Sequence, residues 1–229
     1  MTDYPNRRIV LAARPQGALA ESDFRLETST VGAPATGQAV VRVDTLGIDA
    51  FIRTTFEADA YHGSAPLGST VVALGVGTVI ESADAGLSVG DRVFGPLGAQ
   101  THALLPAAAL RRLDVSRVPA EAYLGALGLT TGVTAYFGIR EVGAVKPGET
   151  VVVSGAAGAV GSMAGQVARV LGAGKVIGIA GGAAKGRFLI DELGFDAAID
   201  YRSEDVAARL AELAPGGFDV FFDNVGGAV

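Results

Sequence analysis

The sequence predicts an α/β chain in two parts, a partly open β-barrel followed by a doubly wound parallel sheet. Three observations carry that expectation. Up to about residue 118, apolar residues come in short alternating or β-branched runs punctuated by Gly and Pro. From about residue 119 the rhythm lengthens, and apolar strands alternate with amphipathic helices, which is the pattern of βαβ units. The first strand of that second part runs into a glycine-rich turn, Ser154-Gly155-Ala156-Ala157-Gly158-Ala159-Val160-Gly161-Ser162.

In chain order, strands are expected over residues 8–11, 24–28 and 38–45, where Val41 and Val43 share one face. A longer run, 70–81, carries glycines at 75 and 77, where a bulge or tight bend is expected. Gly90-Asp91 opens a turn into a strand at 92–95. Residues 121–128 and 133–141 read as helices, and Pro147-Gly148-Glu149 as a turn. Strands then fall near 150–154, 175–180, 197–200 and 218–222, with helices near 159–171, 183–193 and 203–213. Right-handed crossovers leave few arrangements other than a doubly wound sheet. The domains are therefore drawn at 1–120 and 121–229.

Composition narrows the chemistry. At about 150 residues per domain, 229 residues make one large domain or two small ones, long enough to bury a core without a staple. With no Cys, disulfides, zinc ribbons, iron–sulfur clusters and thiol nucleophiles are excluded. His62 and His102 alone are too few for an imidazole zinc site, so no metal is expected. A net charge of −6 with scattered Lys and Arg argues against a nucleic-acid partner. Residues 9–13 are too short for a signal-peptide core. Residues 151–168 carry no charge, but Gly, Ser and Gln interrupt them, so they read as strand and turn rather than membrane span. The expected location is cytoplasmic.

The glycine-rich turn is a dinucleotide fingerprint in the form A-x-G-x-x-G, with Ala156 at the first glycine position. Gly158 would let backbone approach a pyrophosphate, and Gly161 would let the helix pack close to the strand. Ala159, Val160 and Gly161 open the helix, whose unpaired N–H groups face anions. A chain with 33 Gly produces such turns by chance; the strand–turn–helix context makes this one informative. An NAD-binding unit places Asp or Glu about 20 residues further on, at the end of the second strand. Here that stretch reads Ile179-Ala180-Gly181-Gly182-Ala183-Ala184-Lys185, with no carboxylate and a lysine within one helical turn. Helix lysines are ordinarily just solvated, but this is one of only three (Lys146, Lys175, Lys185), and an ammonium here attracts a 2′-phosphate. Tyr201, after the third strand, adds a phenolic donor or is simply a packing residue. NADP(H) is thus expected over NAD(H).

Several further stretches extend the pattern: Thr134-Ala135-Tyr136-Phe137-Gly138, Lys146 with Gly148-Glu149-Thr150-Val151, Glu192-Leu193-Gly194-Phe195-Asp196, and Phe222-Asp223-Asn224-Val225-Gly226-Gly227. With the fingerprint, they resemble the zinc-independent medium-chain dehydrogenase/reductases, and more narrowly the NADP-dependent alkenal, prostaglandin and curcumin reductases. The resemblance is nearly continuous from 122 to 227 and thinner before. There Leu46-Gly47-Ile48-Asp49-Ala50-Phe51-Ile52-Arg53 is similar to that branch's L-x-x-D-P-Y-M-R, and Gly90-Asp91-Arg92-Val93 to its G-D-x-V turn.

The resemblance implies a GroES-like barrel as substrate domain and a Rossmann domain for NADP. It places the pyrophosphate at Gly158 to Gly161, the 2′-phosphate at Lys185 and Tyr201 beside Gly181, Thr134 near the nicotinamide end, and Asn224 in the cofactor cleft. Phe51 and Arg53 would border the substrate pocket. Tyr61 and Tyr136 are the phenols that the sequence itself offers for that pocket, and each reads more readily as a packing residue than as a donor. Ala50, Phe51 and Ile52 replace the family's Pro, Tyr and Met, so substrate identity does not carry over. The implied reaction is reduction of the C=C bond of an α,β-unsaturated aldehyde or ketone by hydride from NADPH; no catalytic residue is assigned. The missing Tyr-x-x-x-Lys pair (Arg140 follows Tyr136) counts against the short-chain dehydrogenase mechanism. Alternatives are a quinone reductase of the same superfamily and a non-catalytic NADPH-binding sensor. A homodimer is expected by the same resemblance. A six-strand Rossmann sheet needs two strands beyond 218–222, so the nucleotide domain is expected to be partial and the chain incomplete on its C-terminal side: a fragment, a chain recorded in part, or a natural truncation completed by another subunit.

Overall fold

In the computed structural model, which describes residues 3–61 and 63–227, antiparallel pairing occupies the first part of the chain and parallel pairing the second. His62, which enters the sequence reading above, lies outside the described residues. Two units divide between Leu124 and Gly125, where the sequence reading drew the line at 120/121.

The first unit opens with β1 (Tyr4–Leu11), paired antiparallel along its length with β2 (Phe24–Val31). β3 (Gln38–Leu46) follows, then the short helix α1 (Ala50–Thr54), β4 (Gly75–Ser82), β5 (Arg92–Gly95), β6 (His102–Pro106) and β7 (Arg111–Arg112). The last five strands form one sheet in the order β6-β3-β4-β5-β7. Ala39, Val41 and Val43 fall on the face that packs with Val79, Val93 and Leu97, as a period of two requires.

The strand expected at 70–81 begins only at Gly75; in the segment before it, Thr70 makes a single bridge to Val10. The glycines explain why pairing starts there. A Cβ on Gly77 would stand 2.5 Å from the Arg42 carbonyl oxygen, and one on Gly75 2.9 Å from that of Thr45, so β3 and β4 approach closely only because both positions lack side chains. The expected bulge is present. Register steps from Val43↔Gly77 to Thr45↔Val76, leaving Asp44 extra on β3. β6 and β7 did not figure in the sequence reading; both lie at sheet edges, and β7 is two residues long.

The β1–β2 ribbon is tied to the rest of its unit by a buried amide. Asn6, 2 % exposed, donates to Gln100 Oε1 (2.9 Å), and its Oδ1 accepts from Thr101 N–H (3.2 Å), Thr101 Oγ1 (3.1 Å) and His102 N–H (3.0 Å). Asn6→Ala removes the shared acceptor of three donors, and a loss of about 1–3 kcal/mol is expected, read as a lower urea midpoint for this unit.

The expected helix at 121–128 reduces to one tight turn, Ala120–Tyr123. Ala126 passes so close to Gly132 that a Cβ on that glycine would fall 1.8 Å from the Ala126 carbonyl oxygen. Residues 129–142 are helical, beyond both ends of the expected 133–141. Wide π-type turns at Leu129–Val133 and Gly138–Val142 flank α2 (Thr134–Phe137).

Alternating elements then follow: β8 (Thr150–Val153), α3 (Ala159–Val170), β9 (Lys175–Ala180), α4 (Ala183–Arg187) continued by wide turns at Phe188–Glu192, β10 (Ala197–Asp200), α5 (Val206–Leu213) and β11 (Val220–Phe222). α5 starts later than the expected 203 because Asp205 caps it, accepting from Ala208 N–H at 3.1 Å. The strands are parallel and ordered β10-β9-β8-β11, so chain direction across the sheet reverses between β8 and β11. The two central strands, β8 and β9, are apolar over residues 151–153 and 176–180 because both of their faces are covered. Val151, Val153 and Val176 pack with Ala164, Ala168 and Phe195, while Val152, Ile177 and Ile199 pack toward Leu210 and Ala214. α3 lies close to the sheet through the small residues Gly161, Ala164, Gly165 and Ala168. The α/β class and its two architectures therefore stand.

Candidate cofactor and ligand sites

Crevices in doubly wound sheets form at the carboxyl ends of the strands where the order reverses, and here that place lies between β8 and β11. β8 runs into Gly155, whose φ of +54° favours glycine, and then Ala156, whose N–H donates to the Ile179 carbonyl at 3.0 Å. Gly158 caps α3 in extended conformation with no side-chain bond to the helix. The N–H groups of Ala159, Val160 and Gly161 therefore open α3 with no partner inside it, at its electropositive end. A Cβ on Gly161 would stand 2.4 Å from the Gly155 carbonyl oxygen and 2.8 Å from Ala156 Cα. Helix and turn are in backbone contact at that point. Alanine at the first fingerprint position is accommodated across the sheet, since a Cβ on Gly178 would lie 3.0 Å from the buried Ala156 methyl.

A cleft of about 310 Å³ opens over this turn, lined by Gly155, Ala157, Gly158, Gly181, Lys185 and Tyr201 among others. Of the residues singled out in the sequence, it brings Gly158, Gly181, Lys185 and Tyr201 together, with Ala159, Val160 and Gly161 in the adjoining helix start. The Lys185 ammonium has no hydrogen bond or ion pair with any described residue. Gly181 is small because two side chains lie against it. A Cβ there would fall 2.8 Å from Arg202 Nε and 2.9 Å from the Tyr201 ring, over which the Arg202 guanidinium sits at 5.9 Å.

Sequence reasoning missed Arg202, although its signal was available as a cation directly after Tyr201. It also missed Asp200. That carboxylate accepts from Gly182 N–H (2.8 Å) and Arg202 N–H (3.0 Å), and these bonds, Gly182 first, hold its pKa below the usual aspartate value. The turn carrying Gly181 and the turn carrying Tyr201 are thereby joined through one side chain.

On the other side of β8, the Ser154 hydroxyl, fully buried, donates to Asp223 and accepts from Asn224 N–H (2.8 Å), while Asn224 Nδ2 reaches the Ser154 carbonyl (3.0 Å). Asp223 also accepts from the N–H groups of Val225 and Gly226, each at 3.0 Å. This clamp fixes the loop after β11, and with it Val225, which lines the cleft. Asn224 is occupied in it. The Ser154 hydroxyl, then the Val225 and Gly226 N–H groups, lower the Asp223 pKa. A carboxylate with a lowered folded pKa stabilises fully above its unfolded value, 3.8, and the contribution is lost as pH falls through the lower folded value. Thermal midpoints measured on acidification below 3.8 are therefore expected to fall less steeply in Asp223→Asn than in the parent chain.

The remaining singled-out residues are dispersed. Thr134, at the start of α2, donates its hydroxyl to the Leu129 carbonyl at 3.1 Å. In the first unit, a second cavity of about 250 Å³ includes Phe51 in its lining. Arg53 is instead engaged with Glu57 and with the Gly17 carbonyl (3.2 Å), and neither it nor Tyr61, which is 95 % exposed, lines that cavity. Tyr136 belongs to the second unit, on α2, with the Arg140 guanidinium 5.7 Å from its ring. Among the described residues, no group of three or more His, Cys, Asp or Glu is placed to hold a metal ion.

Two family models match the chain. One, described as the N-terminal domain of oxidoreductase, covers residues 7–113, and the other, described as zinc-binding dehydrogenase, covers residues 159–229. The chain is 44 % identical to the putative NADP-dependent oxidoreductase YfmJ of Bacillus subtilis, over 97 % of this chain and 66 % of that protein. It is 36 % identical to the NADP(+)-dependent 2-alkenal reductase of Nicotiana tabacum, over 98 % and 67 % respectively. Its structure is similar to that of CurA in complex with NADPH from Vibrio vulnificus, with a TM-score of 0.89 and 37 % identity, over 97 % of this chain and 66 % of that one. The chain thus spans about two thirds of the relatives it matches.

Proposed function

Given that the chain belongs to the zinc-independent branch of the medium-chain dehydrogenase/reductases, we propose that it binds NADPH and reduces the C=C bond of α,β-unsaturated aldehydes and ketones. The observation that carries this reading is the cleft in which the start of α3 meets a lysine that has no partner among the described residues. The residues present suit the cofactor. Gly158, Ala159, Val160 and Gly161 offer backbone N–H groups to a pyrophosphate, in a turn where a side chain at Gly161 would collide with backbone. Lys185 and Arg202 offer positive charge, and Tyr201 a phenol, to a 2′-phosphate, with Gly181 leaving them room. No carboxylate is among the residues lining the cleft, and the neighbouring Asp200 carboxylate is engaged by the N–H groups of Gly182 and Arg202. Thr134 is assigned to the nicotinamide end and Asn224 to the cleft wall, both by family resemblance.

When bound, the reduced nicotinamide supplies the hydride. The protein's part is to hold the cofactor's phosphates at two fixed points, so that the freedom of its reactive end is lost on binding rather than in the chemical step. Phe51 and Arg53 are assigned to the substrate side by the resemblance, and Tyr61 and Tyr136 are proposed there as the phenols that the sequence offers.

The test is consumption of NADPH, followed by absorbance, in the presence of a small enal, an enone or a quinone. Oxidation with the enal or enone is expected. Turnover with the quinone alone would favour a quinone reductase, and binding without oxidation of any substrate would favour a non-catalytic NADPH-binding protein. Small unsaturated carbonyls are proposed as partners, together with a second copy of the chain in a homodimer, measurable by light scattering. No nucleic-acid or membrane partner is proposed, in keeping with a net charge of −6 and with the lack, among the described residues, of a helix long and apolar enough to cross a membrane. The proposed location is the cytoplasm.

A further inference from the structure

The two cations proposed for the 2′-phosphate stand on separate segments, Lys185 on α4 and Arg202 in the turn after β10. One oxygen ties those segments together. Asp200, the last residue of β10, uses its Oδ1 twice, accepting from Gly182 N–H at 2.8 Å and from Arg202 N–H at 3.0 Å. The Gly182 carbonyl in turn accepts from Lys185 N–H at 3.0 Å, so Lys185 hangs from the same anchor through one residue. Asp200 is itself held on both sides. Its main-chain N–H donates to Glu204 Oε2 at 2.7 Å, and its carbonyl accepts from the N–H groups of Ser203 (3.1 Å) and Glu204 (2.9 Å).

The turn into α4 depends on such an anchor. Gly182 has a φ of +96°, and a Cβ there would meet nothing within 4 Å, so hydrogen bonds rather than packing define its place. A turn left to wander would have to be ordered each time a ligand bound, and that ordering costs affinity. Asp200 is not among the residues lining the cleft with Lys185 and Tyr201; it lines a neighbouring hollow with Gly182, Ser203 and Glu204. It therefore acts on a ligand in the cleft through the segments it joins. Its negative charge by itself opposes a phosphate, which leaves the placement of its oxygen as the favourable contribution.

We infer that Asp200 is a positioning residue for cofactor choice: through one oxygen it holds the segments of Lys185 and Arg202 in place for a 2′-phosphate, and so sets the preference for NADPH over NADH. The inference rests on the reading that this cleft takes the 2′-phosphate of NADPH.

Isothermal titration of the full chain with adenosine 2′,5′-bisphosphate and with AMP, which differ only in that phosphate, tests both. The parent chain is expected to bind the bisphosphate about a hundred-fold more tightly than AMP. Asp200→Ala is expected to cut that preference about ten-fold, with AMP affinity within about three-fold of the parent. Asp200→Asn keeps an oxygen for the two N–H groups and removes the opposing charge, so it is expected to retain the preference or increase it. Equal losses for both ligands in Asp200→Ala would mean that the residue serves the fold and not the choice of cofactor. That result, an undiminished preference in Asp200→Ala, or a preference lost as far in Asp200→Asn as in Asp200→Ala would each overturn the inference and leave the cleft reading standing. Equal binding of the two ligands by the parent chain would overturn the cleft reading itself, and the inference with it.

Discussion

Replacing Lys185 and Arg202 together with serine is expected to weaken NADPH binding about a hundred-fold or more and to leave NADH binding within about three-fold. The two cofactors differ only in the 2′-phosphate, and these are the cations the fold gathers around Gly181. A hydrogen bond to a charged group is ordinarily worth roughly a factor of ten or more in affinity, and two are removed. The turn itself is expected to survive, because Asp200 holds it through the backbone N–H groups of Gly182 and Arg202 rather than through either side chain. Fluorescence titration with both cofactors decides the matter. The difference between them should also shrink as salt is raised, since charge attraction in an open cleft is screened. Equal losses for NADPH and NADH would mean that the substitutions had disturbed the turn, and no loss for either would remove these residues from the site.

Gly161→Ala is expected to destabilise the second unit by about 2 kcal/mol and to abolish NADPH binding. Alanine is the better helix former by about 1 kcal/mol, so propensity alone predicts a gain. Packing reverses the sign. The added methyl would sit 2.4 Å from one backbone atom and 2.8 Å from another, so the helix start must move away from Gly155 and Ala156. That movement displaces the N–H groups that face the cleft. Gly216→Ala is the control: its Cβ would meet nothing within 4 Å, and a change of at most about 1 kcal/mol is expected. Urea unfolding of both variants gives the comparison, and a parent-like midpoint for Gly161→Ala would show that the turn has more slack than its contacts imply.

Much of the second unit was legible because its information is local. Val151 to Val153 and Val176 to Ile179 are apolar without alternation, which marks strands covered on both faces, and the fingerprint lies where one of them meets a helix. The first unit was less legible. Residues 70–74 are as β-branched as those that follow, yet only Gly75 onward can come close enough to β3 to pair. β6 and β7 are edge strands whose existence depends on partners 60 residues away in one case and nearly 20 in the other, as the pairs Arg42↔His102 and Val93↔Arg112 show.

The site divides in the same way. By itself the sequence determined the βαβ order, the glycine turn at 154–162, the missing carboxylate after β9 and the lysine in its place, because each is a matter of residue type at short spacing. Only the tertiary structure decided that Arg202 and Tyr201 lie on Gly181, that Asp200 joins two turns, that Ser154 and Asp223 clamp β8 to the loop after β11, and that Phe51 reaches a cavity while Arg53 does not. These contacts span up to about 70 residues along the chain. Those of the second unit exist because parallel strands end side by side, so the loops after them meet at one edge of the sheet however far apart they stand in sequence.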